Sequence, residues 1–163
     1  NELFYLLLIE NIGIMIKARD LITKQTRTII QFDDPSSDLL WLGNKKLLVV
    51  TYNGYRIIDT SGMSAPLVGS TDISNPVFDR ETNILYFLEA TAQPSPIPYR
   101  LSKLDLSTGE QSRLTIEEHV VPPLFYDAET KLLVTGGIKV FSTDGELLHT
   151  ATVPKTSKFI FKK

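Results

Sequence analysis

His119 and His149 are the only imidazoles in this chain, so general acid–base work near neutral pH would have to pass through one of them. His119 follows Glu117-Glu118, a run of side chains that could ligate a metal. Successive residues of an extended chain point to opposite faces, however, and three in a row do not converge on one ion. His149 falls in Leu147-Leu148-His149-Thr150, an outer-strand segment where a plain surface residue is expected. Hydrolysis through a side-chain nucleophile needs a base and an orienting group within hydrogen-bond reach. No Gly-X-Ser-X-Gly elbow occurs to present one. No catalytic residue is assigned.

Asp33-Asp34-Pro35-Ser36-Ser37-Asp38 gathers three carboxylates, and calcium takes such oxygens. Their spacing matches no calcium loop, and Asp, Pro and Ser are also what an ordinary turn requires. No metal site and no cofactor site are assigned. Gln93-Pro94-Ser95-Pro96-Ile97-Pro98 is the most distinctive local feature. Alternating prolines favour an extended polyproline-type backbone whose polar groups stay unpaired. The segment reads either as a stiff insertion without a partner or as a projecting recognition loop. Binding usually resides on loops carried by a rigid scaffold, so this segment is the candidate protein-binding loop.

Composition narrows the function classes. Seventeen basic residues stand against nineteen acidic ones, net −2, which argues against nucleic acid as the main ligand. The chain has no cysteine, so disulfides and Cys-ligated zinc or iron–sulfur centres are excluded, and a reducing, intracellular compartment is slightly favoured. No Asn-X-Ser/Thr sequon occurs, which disfavours a eukaryotic ectodomain. The longest apolar run, Leu3 to Ile9, spans seven residues, against about 20 for a membrane helix. A buried strand is expected there, and no membrane insertion. At 163 residues and 42% apolar content, the chain suits one domain with a sizeable core.

The elements that must position these loops read as strands throughout. Four stretches repeat one motif, centred on Leu3-Phe4-Tyr5-Leu6, Leu47-Leu48-Val49-Val50, Ile84-Leu85-Tyr86-Phe87 and Leu132-Leu133-Val134-Thr135. Their starts lie 44, 37 and 48 residues apart, close to the roughly 40 to 50 residues of a propeller blade. Each repeat divides into strands a to d. Strand a is Leu39 to Leu42, Pro76 to Asp79 or Leu124 to Asp127, and strand b is the apolar centre. Strand c is Ile14 to Ala18, Tyr55 to Asp59, Tyr99 to Leu104 or Ile138 to Phe141. Strand d is Thr28 to Phe32, Pro66 to Val68, Gln111 to Leu114 or Leu147 to Thr150. Asn53-Gly54 has the chemistry of a two-residue hairpin turn, and Gly136-Gly137 takes its place in the last repeat. Trp41, Phe78 and Phe125 are read as matching strand-a positions packed between blades, with Leu48, Leu85 and Leu133 as core.

The first repeat opens directly on strand b, and Lys158-Phe159-Ile160-Phe161 looks like an extra strand a. Two arrangements are open: this tail completes the first blade and closes a ring, or it opens a further blade of a longer propeller. The start at Asn1, without Met, makes a piece of a longer protein the expectation.

Leu104-Asp105-Leu106-Ser107-Thr108-Gly109-Glu110 and Ile57-Ile58-Asp59-Thr60-Ser61-Gly62 resemble the turn between strands c and d of WD40-like and quinoprotein-like β-propellers. The Trp-Asp and Gly-His pairs of true WD40 blades are absent. Trp41-Leu42-Gly43 followed by Tyr55-Arg56-Ile57-Ile58-Asp59 is similar to the citron-homology propellers of membrane-trafficking tethers. The resemblance implies an all-β propeller of about four blades of four antiparallel strands, standing alone or as part of a larger one. The blades fall at 1–37, 38–73, 74–121 and 122–155, with 156–163 as an extra or closing strand. It also implies a non-catalytic scaffold whose partners are other proteins or the rest of a larger chain. The alternative is an accessory propeller of a larger, prolyl-oligopeptidase-like hydrolase, gating an active site outside this chain.

Overall fold

A computed structural model describes residues 2–9, 13–33, 36–51, 54–61, 73–91, 99–115 and 120–151. Within each sheet, strands pair with their sequence neighbours, always antiparallel. The first sheet holds β1 (Glu2–Ile9), β2 (Gly13–Asp20) and β3 (Thr26–Phe32), and the second β4 (Ser36–Gly43), β5 (Lys46–Thr51) and β6 (Gly54–Asp59). The third holds β7 (Ile73–Asp79), β8 (Ile84–Ala90), β9 (Tyr99–Asp105) and β10 (Gln111–Arg113). The fourth holds β11 (Leu124–Asp127), β12 (Leu132–Thr135), β13 (Lys139–Ser142) and β14 (Leu147–Thr150). The first sheet therefore contains strands b, c and d. The segment 66–68, expected as strand d of the second repeat, lies outside the described residues, as do Asn53 and the tail 152–163.

The middle strands of the second and third sheets are apolar on both faces because each of these two sheets is sandwiched between two others. Leu47 and Val49 of β5 join Ile14, Ile16 and Ala18 of β2 in one cluster. Leu48 and Val50, pointing the other way, meet Leu85 and Phe87 of β8. Tyr86 and Leu88 of β8 then pack with Leu124, Leu133 and Phe141 of the fourth sheet. This is period-two alternation used twice over. Burying each such Leu or Phe contributes about 1.5–3 kcal/mol. The inner strands β4, β7 and β11 approach one another side by side, so the sheets stack around a common side like blades.

Among the described residues, three apolar interfaces join four sheets. A closed ring would need a fourth, between the last sheet and the first. Leu3 and Leu7 on β1 instead remain 53% and 41% exposed, and Leu148 on β14 is 50% exposed. The described sheets form an open arc.

The pairing corrects two details of the sequence reading. Trp41 lies opposite Leu47, Phe78 opposite Leu85 and Tyr126 opposite Leu133. Tyr126, not Phe125, is thus the third matching aromatic. Phe125 pairs with Val134, faces away from the third sheet and is 39% exposed. Composition misled here because β11 carries aromatics at consecutive positions, and a one-residue slip exchanges the faces. Leu48, Leu85 and Leu133 are fully buried. The last strand c begins at Lys139, because Ile138 adopts φ 52° in the turn and donates its N–H to the Thr135 carbonyl at 2.8 Å.

Candidate functional site

Antiparallel succession puts every a–b and c–d turn on one rim and every b–c and d–a connection on the other. The proline loop 93–98 joins β8 to β9 on the second rim. Its residues lie outside the described ones, but its base is clear. Glu89, near the end of β8, accepts hydrogen bonds from Ser102 Oγ (3.0 Å) and from Arg113 Nε (3.0 Å) and Nη2 (3.2 Å). The Arg113 guanidinium holds the Glu89 carboxyl below the usual carboxylate range, against the opposing effect of burial. One carboxylate thereby ties β8, β9 and β10 together where the loop departs. Bidentate Arg–carboxylate geometry of this kind fixes orientation as well as charge. The sequence offered only one clue, a charged residue closing the apolar run of β8. Glu89 and Arg113 are 24 residues apart and meet only through strand register.

The opposite rim is built from repeated aspartate turns. Asp20, Asp59 and Asp105 end strands c, and each accepts the backbone N–H two residues on, at 2.8, 2.8 and 2.7 Å. Asp79 and Asp127 end strands a in two copies of one turn, Asp-X-Glu-Thr. Each binds the Glu N–H (3.0 and 3.1 Å) and the Thr hydroxyl (2.8 and 2.7 Å). These local bonds satisfy the polar groups of the turn.

The two copies differ in their surroundings. Asp79 is 2% exposed, and Lys131 of the fourth sheet reaches it at 3.6 Å while bonding Glu81 at 2.6 Å. Burial pushes the Asp79 carboxyl up, but the Tyr126 and Thr82 hydroxyls, the Glu81 amide and the Lys131 ammonium outweigh it and hold the carboxyl low. The Tyr126 hydroxyl is buried beside Asp79. Burial, with Tyr126 and Asp79 nearby, raises the Tyr86 phenol to about 12. An aspartate that stays ionised beside phenols that stay protonated is an electrostatic clasp between two sheets, not an acid–base pair. Neither Lys131 nor its role was anticipated from sequence.

A third feature lies at the first sheet. Where the other sheets carry an inner strand, a cavity of about 560 Å³ runs beside β1, lined by Glu2, Leu3, Phe4, Leu39, Trp41, Lys45, Leu47 and Thr60. Phe4 and Trp41 stack across it with ring centroids 5.2 Å apart. Arg27 closes one end, bonding Glu2 at 3.0 Å and the Thr60 carbonyl of the second sheet at 2.7 Å.

The other sequence candidates stay apart. His149 sits on the exposed strand β14, and His119 lies outside the described residues. Of the Asp33–Asp38 run, Asp34 and Pro35 also lie outside them. Among the described residues no group of three His, Cys, Asp or Glu side chains is placed to hold a metal ion.

No protein-family model matches this chain, and no curated protein does. Solved structures of β-propeller type do. Oligogalacturonate lyase in complex with manganese superposes with a TM-score of 0.70 at 15% identity, over 91% of this chain and 44% of that one. TolB from Acinetobacter baumannii gives 0.63 at 16% identity, over 85% and 37%. Porphyromonas gingivalis dipeptidyl peptidase 4 gives 0.68 at 14% identity, over 93% and 24%. The chain spans less than half the length of each. At these identities the match concerns the fold alone. The chain is an all-β protein of four antiparallel sheets with the architecture of part of a β-propeller.

Proposed function

We propose that this chain is a non-catalytic scaffold that binds other proteins, acting as a propeller module of a larger protein or assembly. One observation carries the reading: the Glu89–Ser102–Arg113 tie stiffens the root of the proline loop. Its rigid setting is the stacked arc of sheets. A loop held at a fixed position loses less entropy when it binds. The alternating prolines of residues 93–98 have the composition of polyproline-type ligands that aromatic-lined grooves accept.

The test places a photo-crosslinking residue at Ser95 in the parent protein, and a control at Glu129 on the opposite rim. The reading expects one defined partner from Ser95, displaced by a peptide of residues 92–99 and lost when 93–98 become Gly-Ser. Equal capture from both rims, or no competition by the peptide, overturns it. Turnover of a substrate that disappears with His119→Ala or His149→Ala removes the non-catalytic part.

The similarity to a portion of dipeptidyl peptidase 4 favours one second reading, an accessory propeller of a hydrolase. A hydrolase segment encoded beside these residues would support it, and further blades on both sides would remove it.

A further inference from the structure

The interface between the third and fourth sheets contains its own counter-ions, since Lys131 of the fourth reaches Asp79 and Glu81 of the third. The same rim of the interface between the second and third sheets is built differently. Asp79 follows Phe78 and lies opposite Ile84, whereas Leu42 follows Trp41 and Gly43 lies opposite Lys46. The end of β4 therefore brings no carboxylate. In the twin turns, Asn83 of the third sheet holds the place that Lys131 has in the fourth.

A pocket of about 370 Å³ opens at this point, and none of its lining residues is acidic. Lys46 at the head of β5 and Arg80 in the turn after β7 both line it, and both are exposed. Among the described residues neither forms an ion pair. Asp59 lies opposite Lys46, but its carboxylate accepts the amide and hydroxyl of Ser61 in its own turn. Asn44 and Asn83 add side-chain amides to the lining. Asn83 is held in place: its side-chain amide donates to Ser107 Oγ at 2.7 Å, and its carbonyl accepts the Leu106 N–H at 3.1 Å. Leu42, Ile57 and Leu106 form an apolar wall continuous with the core between the two sheets.

We propose that this pocket binds a small phosphomonoester, with the phosphate beside Arg80 and Lys46 and the carbon end on the apolar wall. Charge selects the class. The two cations match the two negative charges that a phosphomonoester carries above its second pKa of about 6, and a carboxylate balances only one. The guanidinium presents a planar pair of N–H donors suited to phosphate, and the ammonium adds a point charge. The amide N–H groups of Asn44 and Asn83 serve the remaining oxygens. At about 370 Å³ the pocket is within the range of small-molecule sites. This inference does not depend on the interaction role proposed above.

Phenyl phosphate is the probe, titrated into the full chain by calorimetry at neutral pH and low ionic strength. Saturable binding of one molecule per chain is expected, with inorganic phosphate and benzoate clearly weaker. Arg80→Gln and Lys46→Gln should each weaken it about ten-fold, the loss of one charge-assisted contact. Arg19→Gln, on the first sheet, should leave it unchanged. Both replaced cations are exposed, so the variants should melt with the parent chain. Shifts of the Asn83 and Leu106 backbone amides on titration place the ligand. No saturable binding, binding that survives both substitutions, an equal loss with Arg19→Gln, or shifts confined to other sheets would each overturn the proposal. Benzoate or inorganic phosphate binding as tightly as phenyl phosphate would overturn the choice of ligand class.

Discussion

β1 and β8 are two copies of one motif with different fates. Leu3-Phe4-Tyr5-Leu6 and Ile84-Leu85-Tyr86-Phe87 have the same apolar, aromatic make-up. In β8, Leu85 and Phe87 are buried against the second sheet, and Tyr86 and Leu88 against the fourth. In β1 one face is covered and the other leaves Leu3 and Leu7 in solvent. Apolar content therefore says that a strand can be sandwiched. The neighbours decide whether it is.

The sharpest way to break the comparison is truncation of one side chain on the corresponding face of each strand. Phe87→Ala should cost about 3–5 kcal/mol, because it opens a cavity at a closed interface. Leu7→Ala should cost about 1 kcal/mol or less. Urea unfolding of both variants decides, and similar losses would mean that the outer face of β1 is covered in solution.

Gly145 and Gly109 extend the contrast to the c–d turns. Both have positive φ, 89° and 77°. A Cβ on Gly145 would lie 2.4 Å from the Leu114 carbonyl, whereas Gly109 faces open space. Gly109→Ala should cost about 1–2 kcal/mol for the left-handed backbone alone, and Gly145→Ala distinctly more, read as a lower thermal midpoint. Equal losses would show that the turn of the fourth sheet stands clear of the third.

The twin turns at Asp79 and Asp127 give the next step down. Asp79→Asn should lose about 1–3 kcal/mol, because a buried, charge-assisted network is left incomplete. Asp127→Asn, in the same turn but exposed, should lose clearly less in the same melt.

The smallest expected effect is on pH dependence. The Asp79 and Glu89 carboxyls sit below their ordinary values. Their stabilisation is therefore complete above the unfolded carboxylate range and disappears as pH falls through the lowered folded values. Stability should be flat from neutral pH down to about pH 4.5 and then decline. The decline should be shallower in Asp79→Asn, and an identical acid limb in both proteins would remove Asp79 from the account.

Much of the fold was legible because blade chemistry is local. Turn residues such as Ser107-Thr108-Gly109, and the two-sided apolar runs, announce strands and their order without distant contacts. Register was less legible. Phe125 and Tyr126 are both aromatic, and only pairing with β12 showed which one faces the third sheet. The candidate site was the least legible part. The loop 93–98 stood out by its prolines, whereas the Glu89–Arg113 tie and the Lys131 clasp join residues 24 to 52 positions apart.

The sequence by itself determined four strand-rich repeats, their turns and the absence of thiol chemistry, because each depends on residue type and short-range spacing. Tertiary structure alone decided which faces are closed, that the described sheets form an arc, and where Asp79, Lys131, Glu89 and Arg113 meet. Those outcomes depend on how sheets stack, and stacking brings together residues that no local pattern links.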